Sequence, residues 1–515
     1  MPSPIHNVGG WLERWALRAG DRPALVEPGR SLDYRALAGR SAAFAAWLAR
    51  SGVGRGERVA LLLRNRSAYL EAVFGAARLG AIAVPINARL TAREVAGLLD
   101  DCAPAVLLYE AELSARVDDA CGRSARPPRL RLACGGAPDA YEEALAGAPP
   151  AAAIEPVSPD DPMLLLYTSG TTGAPKGALL PHRKTLYNSL NAQLFFGLRA
   201  ADRVLVVLPF FHSFGLLILA LPALYTGAAV VLRPRFDADA FWPDVERERI
   251  SVAGGVPTMF QELLERLEAR PGAWDLGSLR VLFTAGAAVP VETVRGFERH
   301  RLVLAQGYGQ TETSILCCLD GRDALRKAGS VGRPVLHAEL RLVTRQSVGG
   351  PTRRWRDAAP GEPGEIVVRG PITMLGYWDR PEATAEALRG EWLRTGDVAV
   401  RDEEGFYTLV GRARQMFISG GENVYPAEIE AVYAEHPAVR EIAVVGVPDP
   451  RWGEVGRAYV VPRPGASLDP RALLAWGAER LARFKLPRDF VAVESLPRTA
   501  SGKVELHRLE RPDAP

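Results

Sequence analysis

Short runs of aliphatic and β-branched residues alternate with amphipathic stretches at helical spacing over residues 33–304. The apolar runs are VALLL at 59, AIAVPI at 81, AVLLY at 105, VLVVL at 204, VVL at 230, VAGG at 252, VLFTAG at 281 and LVLAQGYG at 302. A capping box from Thr91 to Glu94 predicts the start of one of the intervening helices. Such alternation predicts parallel sheets that are covered by helices on both faces.

The pattern changes after residue 332, where strands predominate (AELRLV, GEIVVRG, FYTLVGR). From about residue 412 the order is helix, strand, strand, helix, strand. We therefore predict a large α/β N-terminal domain over residues 1–411, with two parallel-rich sheets flanked by helices plus a β subdomain. A small α+β C-terminal domain is predicted over residues 412–515. The 515 residues are too many for one core, since a packing unit holds roughly 150.

We also predict the structure of three less regular segments. The stretch 136–162, rich in Ala, Pro and acidic residues, is predicted to be a surface connection between two sheets. The Gly-, Pro- and Arg-rich stretch 343–363 predicts a long exposed loop without a function. Residues 214–232 carry no charge and are nominally long enough to span a bilayer. Pro222 and the break at 225–227 predict instead a buried helix followed by a buried strand.

Charge and cysteine content narrow the classes of function. Lys and Arg number 63 against 60 Asp and Glu, a net charge of +3, which argues against a general role on nucleic acids or membrane surfaces. The five cysteines form no CxxC pair, so neither a zinc site nor a disulfide scaffold is predicted. The N-terminus lacks the charged-then-apolar order of a signal peptide. A cytoplasmic protein without a transmembrane segment or a nucleic-acid partner is predicted.

The stretch YTSGTTGAPKG, residues 167–177, directly follows the apolar run MLLLY. Its backbone N–H groups and hydroxyls can surround one anion, and Lys176 adds a positive charge. A glycine-rich surface turn is the plainer interpretation, but turns seldom place three threonines, a serine and a lysine after a buried strand. The stretch is not a Walker A loop, because Pro175 precedes the lysine and Gly177 follows it. We predict a polyphosphate site here, beyond the carboxyl end of a strand.

Further motifs follow this loop in order: GYGQTET at 307–313, WLRTGD ending at Asp397, GR at 411–412, ISGGENVYPAEIE at 418–430 and PRTASGKVEL around Lys503. Together with GERVALLLRN and GAIAVPINARLTAREV near the N-terminus, they resemble the adenylate-forming (ANL) superfamily, and within it the AMP-forming acyl-CoA synthetases. The resemblance covers almost the whole chain. It implies an ATP-dependent carboxylic acid–CoA ligase, which first forms acyl-AMP and pyrophosphate and then acyl-CoA and AMP.

The resemblance also implies a set of site residues. The catalytic residues would be Lys503, Glu312, Thr311 and His212, with Lys503 reaching from the small domain to the α-phosphate. The nucleotide would be bound by Thr168, Ser169, Gly170, Thr171, Thr172, Gly173, Lys176, Gly286, Ala287, Ala288, Tyr308, Gly309, Asp397 and Arg412. Tyr308 would stack on adenine and Asp397 would hold the ribose. Mg²⁺ would be held by Thr171 and Glu312, whose carboxylate is a hard oxygen ligand.

The acyl pocket and the second half-reaction follow from the same resemblance. The pocket would be lined by His212, Phe214, Val256, Met259, Gly307 and Gln310, which are mostly apolar or small and favour a fatty or aromatic acid. The small domain would rotate to admit the pantetheine of coenzyme A beside Ser419, Gly420 and Gly421. Arg414 stands at the hinge position, where the family usually has Asp or Lys.

Several of these residues also have a purely structural interpretation. Gly286 and its neighbours fit tight packing at a strand end, and Asp397 fits a turn that bonds its own backbone. His212, between phenylalanines, fits an ordinary core histidine, and Lys503 fits a solvated turn.

Two other functions stay open from the sequence. One is an acyl-AMP ligase or adenylation enzyme that loads a carrier protein. The other is a non-catalytic nucleotide-binding protein, against which the retention of Lys503, Glu312 and the full phosphate loop argues. The sequence also leaves open the identity of the acid and whether the protein forms a homodimer.

Overall fold

The computed structural model describes residues 1–148, 153–168, 175–286, 289–412, 415–419, 422–449, 452–481, 483–498 and 504–509. It confirms the predicted fold class, because a large N-terminal α/β part with mixed sheets precedes a smaller, β-rich C-terminal part. The predicted strands and the capping box at Thr91 are present. No helix in these ranges is long and apolar enough to cross a membrane.

Helices and strands alternate through the first three hundred or so residues, in two successive groups. The first group is α1 (Trp11–Ala19), β1 (Pro23–Glu27), β2 (Arg30–Asp33), α2 (Tyr34–Arg50), β3 (Arg58–Leu62), α3 (Ser67–Arg78), β4 (Ile82–Pro85), α4 (Ala92–Cys102), β5 (Val106–Glu110), α5 (Ser114–Arg123), β6 (Leu130–Cys134) and α6 (Ala140–Ala146). The second group is β7 (Pro162–Thr168), β8 (Lys176–Pro181), α7 (His182–Phe196), β9 (Arg203–Val206), a π-helix (Phe214–Ala220), α8 (Leu221–Thr226), β10 (Ala229–Leu232), α9 (Ala238–Arg247), β11 (Val252–Gly255), α10 (Pro257–Ala269), β12 (Val281–Ala285), α11 (Val291–Arg299), β13 (Leu304–Gln310) and β14 (Ser314–Leu319).

The remaining elements are β15 and β18, which join the edges of the two large sheets, together with those of the β subdomain and the C-terminal part. The third group is β15 (Arg333–Pro334), β16 (Glu339–Val343), α12 (Arg345–Val348), β17 (Gly364–Arg369), β18 (Gly376–Tyr377), α13 (Pro381–Ala387), β19 (Leu388–Arg389), β20 (Trp392–Arg401) and β21 (Tyr407–Arg412). The last group is β22 (Phe417–Ser419), β23 (Glu422–Val424), α14 (Pro426–Ala434), β24 (Val439–Asp449), β25 (Gly453–Pro462), α15 (Pro470–Ala478) and β26 (Asp489–Ala492).

Two large sheets form the N-terminal part. The nine-stranded sheet has the order β15-β14-β13-β12-β11-β9-β10-β1-β2, and the strands from β13 to β1 are parallel. The seven-stranded sheet has the order β18-β8-β7-β4-β3-β5-β6, in which β7 to β6 are parallel. The antiparallel strands β8, β14 and β18 extend the edges of these sheets and carry several of the site residues.

A shared hydrophobic core lies between the two sheets. Val204 and Val206 of β9 belong to this core, whereas Leu205 packs with α9, α10 and α11 on the outer face, because successive strand residues point to opposite faces. Helix α3 lies in the core with all of its twelve residues buried, and its Glu71 is paired with Arg40 at 2.8 Å. Helices α4 and α5 cover the outer face of the second sheet. The result is five alternating layers of helices and sheets.

Two smaller sheets complete the chain. Strands β16, β17, β20 and β19, with β21 beside β20, form an antiparallel sheet, as the strand-rich pattern after residue 332 predicts. In the C-terminal part, β23, β22, β25 and β24 pair antiparallel and β26 joins β25 in parallel. Helices α14 and α15 pack against this last sheet through Ile429, Tyr433 and Leu473.

The interpretation of residues 136–162 is wrong in two respects. The segment joins β6 to β7, which belong to one sheet, and it includes α6, which Asp139 caps by accepting bonds from the N–H groups of Tyr141 and Glu142. Tyr141 is buried and donates a hydrogen bond to Glu71 at 2.8 Å. Tyr141 is the one aromatic residue in this Ala- and Pro-rich segment, and it anchors the segment to the core.

The stretch 343–363 is also more ordered than predicted. It contains α12, and Trp355 is buried with its ring centroid 6.4 Å from that of Trp392. Val343 and Val348 complete a separate small apolar cluster with Val367 of β17. By contrast, residues 214–232 form the predicted buried helical segment and buried strand, and the helix begins with π-helical turns.

Candidate active site

The ends of the predicted phosphate loop are held by a β-hairpin. Thr168 at the end of β7 pairs with Lys176 at the start of β8, and its hydroxyl donates a hydrogen bond to the Lys176 carbonyl at 3.2 Å. Ser169, Gly170, Thr171, Thr172 and Gly173 lie outside the described residues. The hairpin therefore brings Lys176 to the carboxyl end of β7, as the sequence predicts.

Lys176 and Glu312 are linked through a residue that the sequence analysis missed, Tyr377. The Lys176 ammonium lies 5.4 Å from the centroid of the Tyr377 ring, within cation–π range. The Tyr377 hydroxyl donates a hydrogen bond to the Glu312 carboxylate at 2.8 Å. β18 places Tyr377 here by pairing with β8. Only that long-range strand pairing identifies the residue, because no sequence motif contains it.

The carboxylate of Glu312 fits a magnesium ion better than a transition metal. Within the described ranges, no three His, Cys, Asp or Glu side chains gather as a metal site. Magnesium needs no such group, because it is usually bound by one or two carboxylates together with phosphate oxygens and water. The backbone of Glu312 is held as well, since its carbonyl accepts a hydrogen bond from the Met374 N–H at 2.8 Å. The other predicted ligand, Thr171, lies outside the described residues.

Asp397 is the centre of a second polar cluster. Its carboxylate accepts a hydrogen bond from the Tyr308 hydroxyl at 2.7 Å and one from the Gln310 amide at 2.5 Å. The same amide donates to the Thr395 carbonyl at 2.9 Å. Burial, followed by the nearby Asp397, raises the pKa of Tyr308 well above its usual value, so the phenol is protonated and acts as the donor. The predicted adenine, pocket and ribose residues thus meet in one hydrogen-bonded group.

Backbone geometry explains why two of the predicted glycines stand where they do. A Cβ on Gly309 would lie 1.8 Å from the Ser314 carbonyl oxygen, where β13 and β14 approach each other. Gly286 has a φ of 93°, a conformation that side chains rarely allow. The two strand ends are therefore shaped by small residues. Ala287 and Ala288 lie outside the described residues.

Three of the six predicted acyl-pocket residues, Phe214, Val256 and Gly307, lie together in an apolar region. The ring of Phe214 meets that of Phe283 edge-on at 5.6 Å between centroids, and a Cβ on Gly307 would lie 2.5 Å from the Phe283 ring. Phe283 was not predicted as a pocket residue, although its position in the VLFTAG strand, shortly before Gly286, could have indicated it. Val256 lies nearby, since its Cγ1 would be 3.9 Å from a Cβ on Gly286. Gln310 instead turns its amide towards Asp397.

Met259 and His212 lie at the margins of this region. Met259 is half-buried, and its sulfur would be 3.4 Å from a Cβ on Gly255, at the end of β11. His212 is half-buried just before the π-helix, with its ring centroid 4.3 Å from that of Phe211. Thr311 lies in the turn that joins β13 to β14.

The predicted residues of the small domain are only partly described. Arg412 is paired with Asp397 in the register of β21 and β20, which brings its backbone to the second polar cluster. Ser419 is buried at the end of β22, where it pairs with Gly453. Lys503, Arg414, Gly420 and Gly421 lie outside the described residues, as does the side chain of Arg412.

Comparison with known proteins gives a consistent result over the full length. The AMP-binding enzyme family matches residues 12–378, and the AMP-binding enzyme C-terminal domain matches residues 428–503. Feruloyl-CoA synthase of Amycolatopsis sp is 41% identical over 500 residues, which cover 97% of each chain. Indoleacetate–CoA ligase of Aromatoleum aromaticum is 42% identical over 506 residues, or 97% of this chain and 96% of that one. Among solved structures, O-succinylbenzoate coenzyme A synthetase from Bacillus subtilis, in complex with ATP and magnesium ion, superposes with a TM-score of 0.85 at 30% identity, over 97% of this chain and 99% of that one.

Proposed function

Because the chain belongs to the AMP-binding enzyme family, in its branch of AMP-forming acyl-CoA synthetases, we propose that its acid substrate is an aromatic carboxylic acid. The chain is an ATP-dependent acid–thiol ligase. A carboxylate displaces pyrophosphate from ATP to form acyl-AMP, and the thiol of CoA then displaces AMP.

The linked cluster from Lys176 through Tyr377 to Glu312 supports the assignment of the nucleotide site. So does the Asp397 cluster, because its donors Tyr308 and Gln310 lie on the same β13–β14 hairpin as Glu312. We assign Lys176 to the phosphates and Asp397 to the ribose hydroxyls. Two anions, the acid and ATP, must approach each other in this step, so cationic groups have to offset their repulsion. Lys503, carried by the small domain, is assigned to the charge that grows at the α-phosphate.

The magnesium ion of this reaction would be held by Glu312 and, on the phosphate loop, by Thr171. When bound, it neutralises phosphate charge and orients the leaving pyrophosphate. Tyr377 fixes the position of the Glu312 carboxylate through the 2.8 Å hydrogen bond. The hydroxyl leaves the carboxylate's remaining lone pairs for the ion, since each carboxylate has about four acceptor positions.

An aromatic acid suits the region behind Gly307. Phe214 meets the buried Phe283 edge-on there, and aromatic side chains prefer such edge-on contacts with another ring. Phe283 fills the space beneath Gly307, so the region offers limited depth in that direction. Two relatives that are more than 40% identical carry names of aryl acids, feruloyl-CoA synthase and indoleacetate–CoA ligase. We expect a planar aryl acid to fit this region better than a long alkyl chain.

A panel of acids tests this proposal. Purified enzyme would be given ATP, Mg²⁺, CoA and, in turn, ferulic, indole-3-acetic, 2-succinylbenzoic, octanoic or palmitic acid, and the acyl-CoA would be measured by mass spectrometry. We expect kcat/KM for the best aryl acid to exceed that for either fatty acid by at least about tenfold, the scale of discrimination that an apolar pocket provides. A preference for palmitic acid would contradict the proposal. Pyrophosphate release without any acyl-CoA would point to a carrier-protein thiol as the acceptor.

We further propose that the small domain, residues 412–515, moves against residues 1–411 between the two half-reactions. The boundary is supported by the end of β21 at Arg412 and the start of the next sheet at Phe417. Arg414 is the assigned hinge residue. In Lys503→Ala, adenylate formation should fall steeply while thioester formation from supplied acyl-AMP persists. Equal loss of both steps would contradict the role of Lys503.

We also propose that the enzyme is cytoplasmic. The five cysteines are all free thiols, and three of them, Cys102, Cys134 and Cys317, are buried. Free thiols persist in a reducing compartment, which supports a cytoplasmic location. Thiol titration of the native enzyme that finds a disulfide would argue against it.

A further inference from the structure

A fully buried lysine, Lys184, lies next to the turn that carries Glu312. It is the third residue of α7, and its side chain is among the largest fully buried ones in the described part of the chain. Its amine donates a hydrogen bond to the Ser314 hydroxyl. Burial lowers the pKa of Lys184 to about 7, against the opposing effect of the Glu312 carboxylate, and Arg183 lowers it further. Burying such a group is costly unless it is bonded, so a merely structural position would favour an apolar residue.

The partner of this lysine has an unusual backbone. Ser314 begins β14 with a φ of 61°, in the left-handed region that residues other than glycine rarely adopt. The next residue is held by the same helix, because the Asn188 side-chain oxygen accepts a hydrogen bond from the Ile315 N–H at 3.3 Å. Lys184 and Asn188 are four residues apart and therefore lie on one face of α7. One face of α7 thus holds Ser314 and Ile315, the first two residues of β14.

The turn before Ser314 is held from its other side. The Thr313 hydroxyl accepts a hydrogen bond from the Gln310 N–H at 3.1 Å, which closes the turn on itself. Met374 binds the Glu312 carbonyl, and Tyr377 binds the Glu312 carboxylate. The contacts of Met374 and Tyr377 come from β18 and the residues just before it, at the edge of the seven-stranded sheet, whereas the bond from Lys184 comes from the interior of the protein. Without it, Ser314 would lose the interior contact that favours its strained conformation.

We propose that Lys184 is a positioning residue for adenylate formation. Through the Ser314 hydroxyl it holds the β13–β14 turn in the conformation that presents the Glu312 carboxylate to the metal-bound phosphates. The inference rests on the proposed role of Glu312. It assigns a catalytic consequence to a residue that touches neither ATP nor the acid, and that lies outside all the sequence motifs of the site.

The test replaces Lys184 with Met, which fills similar volume without a donor. We expect kcat for pyrophosphate release to fall roughly tenfold or more, the effect of one hydrogen bond to a charged group, while KM for ATP changes less than about twofold. In the ligand-free enzyme, amide hydrogen exchange should accelerate over residues 311–316 and remain unchanged elsewhere. Ser314→Ala removes the acceptor instead, and the double variant should be no slower than the more impaired single variant.

Thr185→Val is the matched control. Thr185 is the neighbouring residue of α7, is equally buried, and has no hydrogen-bond partner for its hydroxyl among the described residues. We expect it to leave both kcat and the exchange of residues 311–316 unchanged.

Several outcomes would overturn the inference. Wild-type kcat in Lys184→Met, additive losses in the double variant, or faster exchange spread over the whole protein would each do so. Should Lys184→Met fail to fold, kcat and local exchange in Ser314→Ala decide the matter in the same way. The exchange experiment needs no substrate. A wild-type enzyme that activates no acid in the panel would therefore count against the proposed function, whereas unchanged exchange would count against the role of Lys184.

Discussion

Single polar contacts define the nucleotide site at the scale of residues. Tyr377 contacts Lys176 with its ring and Glu312 with its hydroxyl, so one side chain joins two predicted phosphate-site residues that are far apart in sequence. Asp397 accepts hydrogen bonds from both Tyr308 and Gln310, which lie two residues apart on β13. A charged acceptor that is held by neutral donors keeps its place before ATP arrives. Such preorganisation lowers the reorganisation that the reaction itself requires.

Tyr377→Phe tests the hydroxyl without removing the ring. The variant keeps the cation–π contact with Lys176 but loses the 2.8 Å hydrogen bond to Glu312. We expect kcat/KM for pyrophosphate release to fall roughly tenfold, since a hydrogen bond to a charged group contributes about 1.5–3 kcal/mol. The rate of pyrophosphate release should be measured at several magnesium concentrations. We expect the magnesium concentration that gives half of the maximal rate to be higher in the variant.

Tyr433→Phe is the control for this change. The Tyr433 hydroxyl is buried in the C-terminal part and has no hydrogen-bond partner among the described residues. Its removal should leave catalysis and magnesium dependence unchanged. Unaltered magnesium dependence in Tyr377→Phe would show that the hydroxyl does not position Glu312.

At the scale of elements, the hairpin of β13 and β14 organises the nucleotide site. It carries Tyr308, Gln310 and Glu312, and so it links the two polar clusters. Its antiparallel pairing is irregular between Tyr308 and Gly309. A side chain at Gly309 has no room, because its Cβ would lie 1.8 Å from a backbone oxygen. The glycine at position 309 of the GYGQTET motif is therefore required for strand packing, in addition to any chemical role of the motif.

Gly309→Ala should disrupt this hairpin. The strands would have to separate, so we expect ATP affinity, measured by calorimetry, to fall by at least about tenfold and the melting temperature to decrease by several degrees. Gly39→Ala in α2 is the matched control, since Gly39 is exposed and, apart from the backbone of its own helix and its chain neighbours, no atom lies within 4 Å of an added Cβ. There alanine should stabilise the protein by about 0.5–1 kcal/mol through helix propensity. Unchanged ATP binding in Gly309→Ala would refute the close approach.

At the scale of the whole molecule, a buried histidine ties the N-terminus to the core. His182 begins α7, and its Nδ1 accepts a hydrogen bond from the Val8 N–H at 3.2 Å. The adjacent Asn7 donates to the carbonyl groups of Arg78 and Glu155 at 3.3 and 3.0 Å. Burial lowers the pKa of His182 to about 4, against the opposing charge of Asp161. Only the neutral ring can accept the bond from Val8, so this junction requires an unprotonated histidine.

This histidine predicts a pH dependence of stability. The unfolded chain takes up a proton at His182 near its ordinary value of about 6.5, whereas the folded protein takes it up only near pH 4. Between these values the unfolded state binds more protons, so stability decreases as the pH falls and is fully regained above the unfolded value. The contribution is about 3 kcal/mol across this window, at about 1.4 kcal/mol per pKa unit.

The measurement is thermal unfolding between pH 4.5 and 7.5. In His182→Gln, which keeps an acceptor but does not titrate, melting temperature should depend less on pH than in the wild type. His300→Gln, at the end of α11, should retain the wild-type slope. Equal slopes in His182→Gln and wild type would show that the His182 ring does not control acid stability.

The sequence determined the fold class and the family of this protein, because both follow from local patterns. Strand and helix periodicity, the capping box at Thr91 and the glycine-rich loop at 167–177 each depend on neighbouring residues, and each is visible without a structure. The order of the motifs is also visible without a structure, and its resemblance to the AMP-forming acyl-CoA synthetases implies the adenylation chemistry.

Contacts between distant segments were decided by the tertiary structure alone. Tyr377 reaches Glu312 only because β18 pairs with β8, and Lys184 reaches Ser314 only because α7 lies in the core against β14. The helix at 140–146 and the cluster around Trp355 also depend on partners that are remote in sequence. Local composition cannot specify such pairings, since the free energy of a contact depends on which residues the folded chain brings together.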